Sequence, residues 1–283
     1  MLTPNLTRRN FVRGAAGTAA AALATGLYAW RIEPHWVQFV ERPLPLHNLP
    51  SRFVGSTLVQ LSDLHIGLQV DDDYLKRVFD LVRQEGPEFV VVTGDLTSYD
   101  PDVLSRAEKM FGYLPSGSLA TVAVLGNHDY GPGIQDYRHA DRLAALATQA
   151  GVRILRNEAV NIEGLTLVGL DDLWAGRYDP ALALTGVADQ SASLVLTHNP
   201  DTADLPGWGD YHGWILAGHT HGGQCKPPFL DPPRLPVKNR RYIAGEYALR
   251  DNRRMYINRG IGHLMQVRFN VRPEVTIFRL TQA

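Results

Sequence analysis

The chain has 283 residues, of which 45% are hydrophobic, and its 28 lysine and arginine residues nearly balance 29 aspartate and glutamate residues. This length and composition suit one large domain with a well-buried core, and the balanced charge argues against a globally basic nucleic-acid binder. Cys225 is the single cysteine of the sequence, so no disulfide can form within the chain.

The first predicted element is an export signal over residues 1–30. The motif Thr7-Arg8-Arg9-Asn10-Phe11-Val12-Arg13 precedes a stretch from Gly14 to Trp30 that carries no charge. Basic residues followed by a small, apolar segment are typical of export signals, and the paired arginines resemble the twin-arginine type. We therefore expect the twin-arginine export machinery as a partner and the rest of the chain in the periplasm or cell envelope. The uncharged stretch is at the short limit of the ~17–25 residues that span a bilayer, so a cleaved signal and an uncleaved anchor both stay open.

Residues 31–50 lead from this signal into a single domain predicted over residues 51–283. Pro34, Pro43, Pro45 and Pro50 lie in this segment. Proline fixes its own backbone angle and lacks an N–H donor, and proline-rich segments are commonly extended spacers. The segment is therefore predicted to be an extended tether.

Strand-like and helix-like segments alternate in the first half of the domain. Short apolar runs predict buried strands at Thr57–Leu61, Phe89–Thr93 and Val122–Leu125. Apolar residues at helical spacing predict helices over Asp71–Glu85, Asp102–Tyr113 and Gln135–Ala150. Because acidic residues are favourable at a helix start, Asp71-Asp72-Asp73 is interpreted as a cap rather than a metal cluster. The alternation indicates a largely parallel sheet with helices packed outside it.

The second half of the domain contains more strands and fewer helices. Strand-like runs lie at Leu165–Leu170, Leu194–Thr197, Trp214–Ala217, Arg254–Asn258 and Glu274–Leu280. We therefore predict an α/β fold in which two mixed β-sheets pack on each other and are flanked by helices. Asp171-Asp172 is predicted to be a turn, and Lys226–Arg241, with its five prolines, an ordered surface loop.

Five of the apolar runs end at residues that commonly bind metals. The donors that follow them are Asp63, His65, Asp95, Asn127, His198, His219 and His221. Ligands collect outside the carboxyl ends of the strands in open α/β sheets, so these side chains are expected to meet in one crevice. The mixture of oxygen and nitrogen donors suits Mn, Fe, Zn or Ni better than Ca. The pattern predicts a hydrolase with two divalent metal ions.

These motifs together resemble the calcineurin-like metallophosphoesterases. The resemblance runs from about Thr57 to the C-terminus, with all motifs in the family's order. They are Asp63-x-His65, Gly94-Asp95, Gly126-Asn127-His128-Asp129, His198 and Gly218-His219-x-His221. Further likenesses, in Gly218–Gln224, Asn258–Gly262 and Pro273-Glu274, are to bacterial envelope-associated phosphodiesterases. The resemblance implies a four-layer α/β/β/α sandwich.

The resemblance also implies a role for each of these residues. One metal ion would be bound by Asp63, His65, Asp95 and His221, and the other by Asp95, Asn127, His198 and His219, with Asp95 as the bridge. A hydroxide bridging the metals would attack phosphorus in line. His128 would protonate the leaving oxygen or stabilise the transition state, and Asp129 would orient it.

The sequence departs from the protein Ser/Thr phosphatases of the same superfamily. Those enzymes continue Gly-Asp with an acidic residue and an arginine, whereas this chain reads Gly94-Asp95-Leu96-Thr97-Ser98. They also have glutamate where Asp129 stands. Phosphoprotein phosphatase activity is therefore not expected.

Phosphodiester or pyrophosphate bonds are the expected targets, and the resemblance favours diesters over monoesters. A phospholipid, a lipid-linked nucleotide such as a lipid A precursor, a wall polymer and a nucleotide all stay open as substrates. Two other hypotheses remain. One is a noncatalytic envelope-binding module that retains its metals for structure, and the other is a cytoplasmic nucleotide phosphodiesterase.

The stretch after the histidine cluster is rich in basic residues, from Lys226 to Arg259. Such runs usually form a solvated face. The alternative is a rim that attracts phosphate-rich headgroups at a membrane surface, with Phe229 and Leu230 directed toward lipid.

Overall fold

A computed structural model describes residues 7–100, 102–187 and 191–283, and in these ranges two six-stranded β-sheets pack face to face. In chain order the strands are β1 (Gln38–Leu46), β2 (Thr57–Leu61), β3 (Phe89–Thr93), β4 (Ala120–Val124), β5 (Arg153–Ile154), β6 (Glu158–Ile162), β7 (Leu165–Gly169), β8 (Ala192–Leu196), β9 (Trp214–Ala217), β10 (Gly245–Ala248), β11 (Arg254–Ile257) and β12 (Glu274–Gln282).

Both sheets are mixed, with parallel strands at their centres. The first has the order β1-β12-β2-β3-β4-β5, and only β12 runs antiparallel to a neighbour, β2. The second has the order β10-β11-β9-β8-β7-β6, with antiparallel pairs at its two ends. The predicted fold class, two packed mixed sheets flanked by helices, is confirmed.

Helices cover the outer face of the first sheet. In the described ranges the α-helices are α1 (Arg8–Leu27), α2 (Asp72–Gln84), α3 (Val103–Phe111), α4 (Tyr137–Gln149) and α5 (Pro180–Ala183). The Asp71 side chain caps α2 by accepting a hydrogen bond from the Tyr74 N–H at 2.7 Å, as the acidic run predicts.

The central strands are apolar throughout because both of their faces are buried. Along β3, Val90 and Val92 contact the core between the first sheet and its helices, whereas Phe89 and Val91 contact the core between the two sheets. Period-two alternation therefore separates two hydrophobic layers within one continuous apolar run.

Part of the predicted tether is instead a strand of the first sheet. Gln38–Leu46 forms β1, which pairs with β12 along its whole length. The Gln38 N–H donates to the Pro273 carbonyl, and the Leu46 carbonyl accepts from the Ala283 N–H, so even-numbered residues of β1 face β12. Pro43 and Pro45 consequently face the open edge of the sheet, where a missing N–H breaks no ladder bond. The prediction was wrong because proline excludes central strands but not edge strands.

The predicted signal segment is mainly helical. Its residues 1–6 lie outside the described residues, and α1 follows from Arg8, with Thr7 as its N-cap. All side chains of α1 are exposed. Among the described residues, no helix combines the length and the apolar character needed to cross a membrane.

Candidate metal centre

The carboxyl ends of strands from both sheets meet at one crevice. Loops after β2 and β3 are joined by a bond from the Asp63 N–H to the Gly94 carbonyl and one from the His65 N–H to the Asp95 carbonyl, both 3.0 Å. In the second sheet the Gly218 N–H donates to the His198 carbonyl at 3.0 Å. These backbone bonds fix the loops that carry the predicted ligands.

The predicted ligands form two buried groups. Asp63, His65 and His221 make one group, and Asp95, His198 and His219 the other, with the donor atoms of each within 4.8 Å of one another. In the first group His221 Nε2 lies 3.1 Å from His65 Nε2 and 3.2 Å from Asp63 Oδ1. In the second, His198 Nε2 lies 3.0 Å from His219 Nδ1. Imidazole nitrogens this close, in a buried pocket with carboxylates, suit a pair of cations.

Asp95 lies between the two groups. Its Oδ2 atom is 3.6 Å from His65 Nε2 in the first group and 3.2 Å from His198 Nε2 in the second. Its Oδ1 atom accepts a hydrogen bond from the His128 N–H at 2.9 Å, which fixes the carboxylate plane. One oxygen is therefore anchored by the loop after β4, and the other is available to both groups.

The side-chain oxygen of Asn127 indicates whether this centre suits a metal ion. This carbonyl oxygen is buried and lacks a hydrogen-bond partner among the described residues. Leaving a buried acceptor unsatisfied costs about 1–3 kcal/mol, so such an atom needs a partner. A cation beside Asp95 would provide one.

Hydrogen bonds from one ring nitrogen to a backbone carbonyl orient two of the histidines. Nδ1 of His198 lies 2.8 Å from the Thr93 carbonyl, and Nε2 of His219 lies 2.8 Å from the Pro236 carbonyl. A carbonyl can only accept, so each of these nitrogens carries a proton and the other ring nitrogen is the one directed into the group that contains Asp95. That is the arrangement by which metal-binding histidines are held.

Burial and mutual charge set the ionisation of the centre. Burial disfavours the ionised form of Asp95, but the neighbouring imidazoles, His198 foremost, outweigh it and hold the pKa of Asp95 well below its usual range. Burial also opposes protonation of His198, yet the Asp95 carboxylate raises the pKa of His198 to about 10. Burial together with the charge of His198 lowers the pKa of His219 to about 3. Without a bound cation the pocket thus holds ionised carboxylates beside a protonated His198 and a neutral His219, and a metal ion would take the place of the second His198 proton.

The backbone of the centre is strained. Five of the predicted ligands have positive φ angles although they are not glycine: Asp63, His65, Asp95, His219 and His221. The left-handed conformation costs a non-glycine residue roughly 1–2 kcal/mol, and such residues cluster at functional sites. Two glycines make room for this packing. A Cβ on Gly94 would lie 2.6 Å from His198 Nδ1, and one on Gly126 would collide with Asp95.

His128 lies at the edge of the centre and is half-buried. Its ring stacks on Tyr99 with centroids 4.0 Å apart and meets His65 edge-on at 4.9 Å. Burial lowers the pKa of His128, and the Asp95 charge opposes that shift. Tyr99 was not predicted from the sequence, because a single aromatic residue after a strand forms no recognisable pattern.

Asp129 does not orient His128 through a hydrogen bond in this structure. Its buried carboxylate accepts from the N–H groups of Leu96, Thr97 and Gly126 at 3.1, 2.9 and 2.8 Å, and from the Thr97 hydroxyl at 3.1 Å. Asp129 therefore makes no direct hydrogen bond to His128 among the described residues. Asp129 instead ties the loop after β3 to the loop after β4, and so positions Asp95 relative to Asn127.

Two further side chains contact or approach the centre. Asp172 forms the predicted turn, since its Oδ1 accepts from the Ala175 N–H at 2.7 Å, but it is also fully buried. Burial raises the pKa of Asp172 to about 6, while the nearby His198 lowers it. Trp174 meets the ring of His219 edge-on at 4.6 Å and is partly exposed. With Tyr99, it gives the crevice aromatic walls.

Comparisons with known proteins agree with this geometry. Residues 56–223 match the family model described as Calcineurin-like phosphoesterase. The chain is similar to the uncharacterized metallophosphoesterase YkuE of Bacillus subtilis (strain 168), with 32% identity over 97% of this chain and 98% of that protein. It is similar to phosphodiesterase YaeI of Escherichia coli (strain K12), with 31% identity over 97% and 99% of the two chains. It is also similar to the UDP-2,3-diacylglucosamine pyrophosphatase LpxG of Chlamydia muridarum (strain MoPn / Nigg), with 25% identity over 92% and 94%.

Proposed function

The chain belongs to the calcineurin-like phosphoesterase family and is a metal-dependent phosphoric ester hydrolase, and on this premise we propose that it cleaves phosphodiester or pyrophosphate bonds at a pair of divalent cations. The observation that carries the proposal is the position of Asp95 Oδ2, which is within 3.6 Å of a donor in each His/Asp group. A carboxylate shared in this way is what a two-cation site requires.

The chain offers four donor residues for each proposed cation. Asp63, His65, His221 and Asp95 would hold one, and Asp95, Asn127, His198 and His219 the other. When bound, two such cations stabilise charge on phosphoryl oxygens and lower the pKa of water toward ~7.

His128 is the residue that we assign to proton transfer at the leaving oxygen. Its backbone is fixed to Asp95 and its ring to Tyr99, so the imidazole has a defined position beside the phosphoryl site. Because burial lowers the pKa of His128, its protonated form is a stronger acid than a free imidazolium. The exposed faces of Tyr99 and Trp174 would bind the groups on either side of the phosphorus.

The names of similar proteins support the choice of bond. Phosphodiesterase YaeI supports a diester, and the pyrophosphatase LpxG supports a pyrophosphate in a lipid-derived substrate. We also propose that the chain is exported by the twin-arginine machinery to the periplasm or cell envelope. The support is the Arg8-Arg9 pair at the start of α1, followed by an uncharged stretch from Gly14. Fractionation of cells that express the tagged chain tests this, and a cytoplasmic location would contradict it.

Metal analysis followed by a substrate panel tests the proposed activity. The purified chain, stripped with chelator and reloaded separately with Mn, Zn, Fe or Ni, should bind about two cations. It should then hydrolyse bis-p-nitrophenyl phosphate or a nucleoside pyrophosphate only when loaded. Full metal content without turnover of any diester, pyrophosphate or monoester would contradict the proposal and favour a noncatalytic module.

A further inference from the structure

Five exposed apolar side chains lie on two hydrogen-bonded loops beside the metal centre. We call this set the apolar rim: Phe229, Leu230, Leu264, Met265 and Val267. Phe229 is completely exposed and Met265 is 65% exposed. Several exposed apolar residues on adjoining loops are typical of an interaction surface, whereas scattered single ones are not.

The two rim loops are joined by hydrogen bonds. The Lys226 N–H donates to the Phe269 carbonyl at 2.9 Å, the Phe269 N–H donates to the Gln224 carbonyl at 3.0 Å, and Gln224 Nε2 donates to the Met265 carbonyl at 3.1 Å. Phe229 then occupies the tip of a turn with φ +66°, a conformation that is strained for an aromatic residue. The chain thus holds a fully exposed phenylalanine on a loop that is hydrogen-bonded at its base.

The C-terminal end of helix α1 joins the domain next to this rim. The Arg268 N–H donates to the Ala29 carbonyl at 2.9 Å, and the Val271 N–H donates to the Glu33 carboxylate at 2.6 Å. Trp30 and Ile32, just past the end of α1, are exposed beside this junction. The fully exposed helix, uncharged from Gly14 onward, is therefore continuous with the apolar rim.

The rim also adjoins the ligands of the metal centre. Arg268 Nη2 lies 3.4 Å from His221 Nδ1, and the Gln224 N–H donates to the His221 carbonyl at 3.0 Å. The loop that carries Phe229 continues to Pro236, whose carbonyl lies 2.8 Å from His219 Nε2. A surface that covered the rim would lie beside the crevice in which phosphorus is attacked.

The rim is bordered by positive charge. Residues 226–241 contain five basic residues and one acidic residue, Asp231. Arg234 is exposed in this loop, and Arg31 is exposed over the ring of Trp30 at 4.4 Å. Exposed apolar and aromatic side chains flanked by arginine and lysine are complementary to an anionic lipid surface.

We propose that this face docks on an anionic lipid bilayer, with the apolar rim and the end of α1 inserted among the headgroups. Resting on the proposed function, docking restricts the substrate to a phosphodiester or pyrophosphate located at a lipid headgroup. A water-soluble diester would reach the crevice without the rim, whereas a lipid-borne phosphorus would need it.

Site-specific labelling of the full chain tests docking directly. In a Cys225→Ser background, a polarity-sensitive fluorophore is attached through Phe229→Cys, Met265→Cys or, as a control, Leu182→Cys on α5. Leu182 is 58% exposed and lies on α5, which packs against β6 at the edge of the second sheet. Vesicles of phosphatidylcholine with phosphatidylglycerol should shift the emission at 229 and 265 to shorter wavelength and leave it unchanged at 182. Pure phosphatidylcholine should give a weaker shift.

Three outcomes would overturn docking. They are no shift at 229 and 265, an equal shift at 182, and a shift produced by raising the protein concentration without lipid, which would assign the rim to a second copy of the chain. Turnover of bis-p-nitrophenyl phosphate by the labelled proteins separates this test from the proposed function. A shift without turnover refutes the function alone, and turnover without a shift refutes docking alone.

Kinetics of the double variant Phe229→Ser/Met265→Ser test the substrate class. Loss of two inserted apolar side chains should lower turnover of a phospholipid diester in vesicles by on the order of tenfold. Turnover of the soluble diester should stay at the wild-type rate, and Val54→Ser/Leu182→Ser should change neither. Equal rates of wild type and rim variant on the vesicle substrate would overturn the assignment.

Discussion

The core between the two sheets and the loops at the carboxyl ends of its strands differ in side-chain polarity and in backbone conformation. The inter-sheet core consists of apolar side chains on regular strands, such as Leu58, Leu194 and Phe278. The loops hold buried carboxylates and imidazoles, an Asn127 carbonyl with no hydrogen-bond partner in the part of the chain that the structure describes, and non-glycine residues with positive φ. The same strands thus end in loops whose buried polar groups and left-handed backbone conformations are energetically unfavourable.

This contrast shows that the inter-sheet core stabilises the fold, whereas the loops that carry the predicted ligands destabilise it. Burial of apolar side chains favours folding by about 1.5–3 kcal/mol for each large residue. Each left-handed ligand opposes it by roughly 1–2 kcal/mol. Strain of this kind persists only where the surrounding structure determines the conformation, so we expect substitutions in the two regions to have separable effects.

The largest expected effect is that of Asp95→Asn. Removing the charge of the shared carboxylate should abolish binding of both cations and reduce turnover to that of the metal-free protein, because Asp95 Oδ2 approaches both groups. Metal content by mass spectrometry and diester turnover measure this. The matched control is Asp73→Asn, on the exposed start of α2, which should change neither. An Asp95→Asn protein that still holds two cations would contradict the bridge.

His128→Ala should have the next largest effect. Loss of a proton donor typically lowers the rate by 10²–10⁴-fold, and we expect about 10³-fold in kcat with both cations retained. The loss should be smaller for substrates with an acidic leaving group, such as nitrophenol, than for an alkyl diester. His47→Ala, at an exposed position, serves as control. Equal losses on both substrates would argue that His128 does not protonate the leaving oxygen.

A substitution in the core should produce the reverse pattern. Phe278 is fully buried between the sheets and packs edge-on against Tyr256, with ring centroids 5.3 Å apart. Phe278→Ala should lower the free energy of unfolding of the protein by about 3–5 kcal/mol. Denaturant unfolding in the presence of chelator measures this without a contribution from metal binding. The folded fraction should still bind two cations. Phe229→Ala, at a fully exposed position, should change stability by less than about 0.5 kcal/mol.

The smallest expected effect concerns pH. Burial, reinforced by the charge of Arg268, lowers the pKa of His263 to about 4. In the unfolded chain the pKa of His263 is near 6.5, so as the pH falls the unfolded chain binds a proton before the folded protein does. The free energy of unfolding should therefore decrease as the pH falls from about 6.5 to 4, by at most about 3 kcal/mol. His263→Gln should lose less stability over this range, and His47→Gln should behave as wild type. Identical pH slopes for wild type and His263→Gln would contradict the assignment.

The sequence predicted most of the architecture because the decisive signals were local. Continuous apolar runs predicted strands such as Phe89–Thr93, and helical spacing predicted α2 within one residue at each end. Strand β1 was missed because Pro43 and Pro45 exclude a central strand, and the sequence does not reveal that the segment lies at an edge. Strand β6 was missed because its polar, partly exposed residues give no clear period.

The predicted ligands were found for the same reason, since each follows a strand end. The contacts that support them could not be predicted. Asp129 bonds to backbone groups of Leu96 and Thr97, more than thirty residues earlier in the chain, and this depends on the loop conformations. The positions of Tyr99 and Trp174 against the histidine rings likewise depend on three-dimensional packing rather than on any sequence pattern.

Anomalous diffraction from crystals soaked in Mn²⁺ would measure the shared site most directly. We predict two peaks about 3.5–4 Å apart, both within bonding distance of the Asp95 carboxylate. The first should be surrounded by Asp63, His65 and His221, and the second by Asn127, His198 and His219. A single peak, or two peaks of which only one contacts Asp95, would contradict the account.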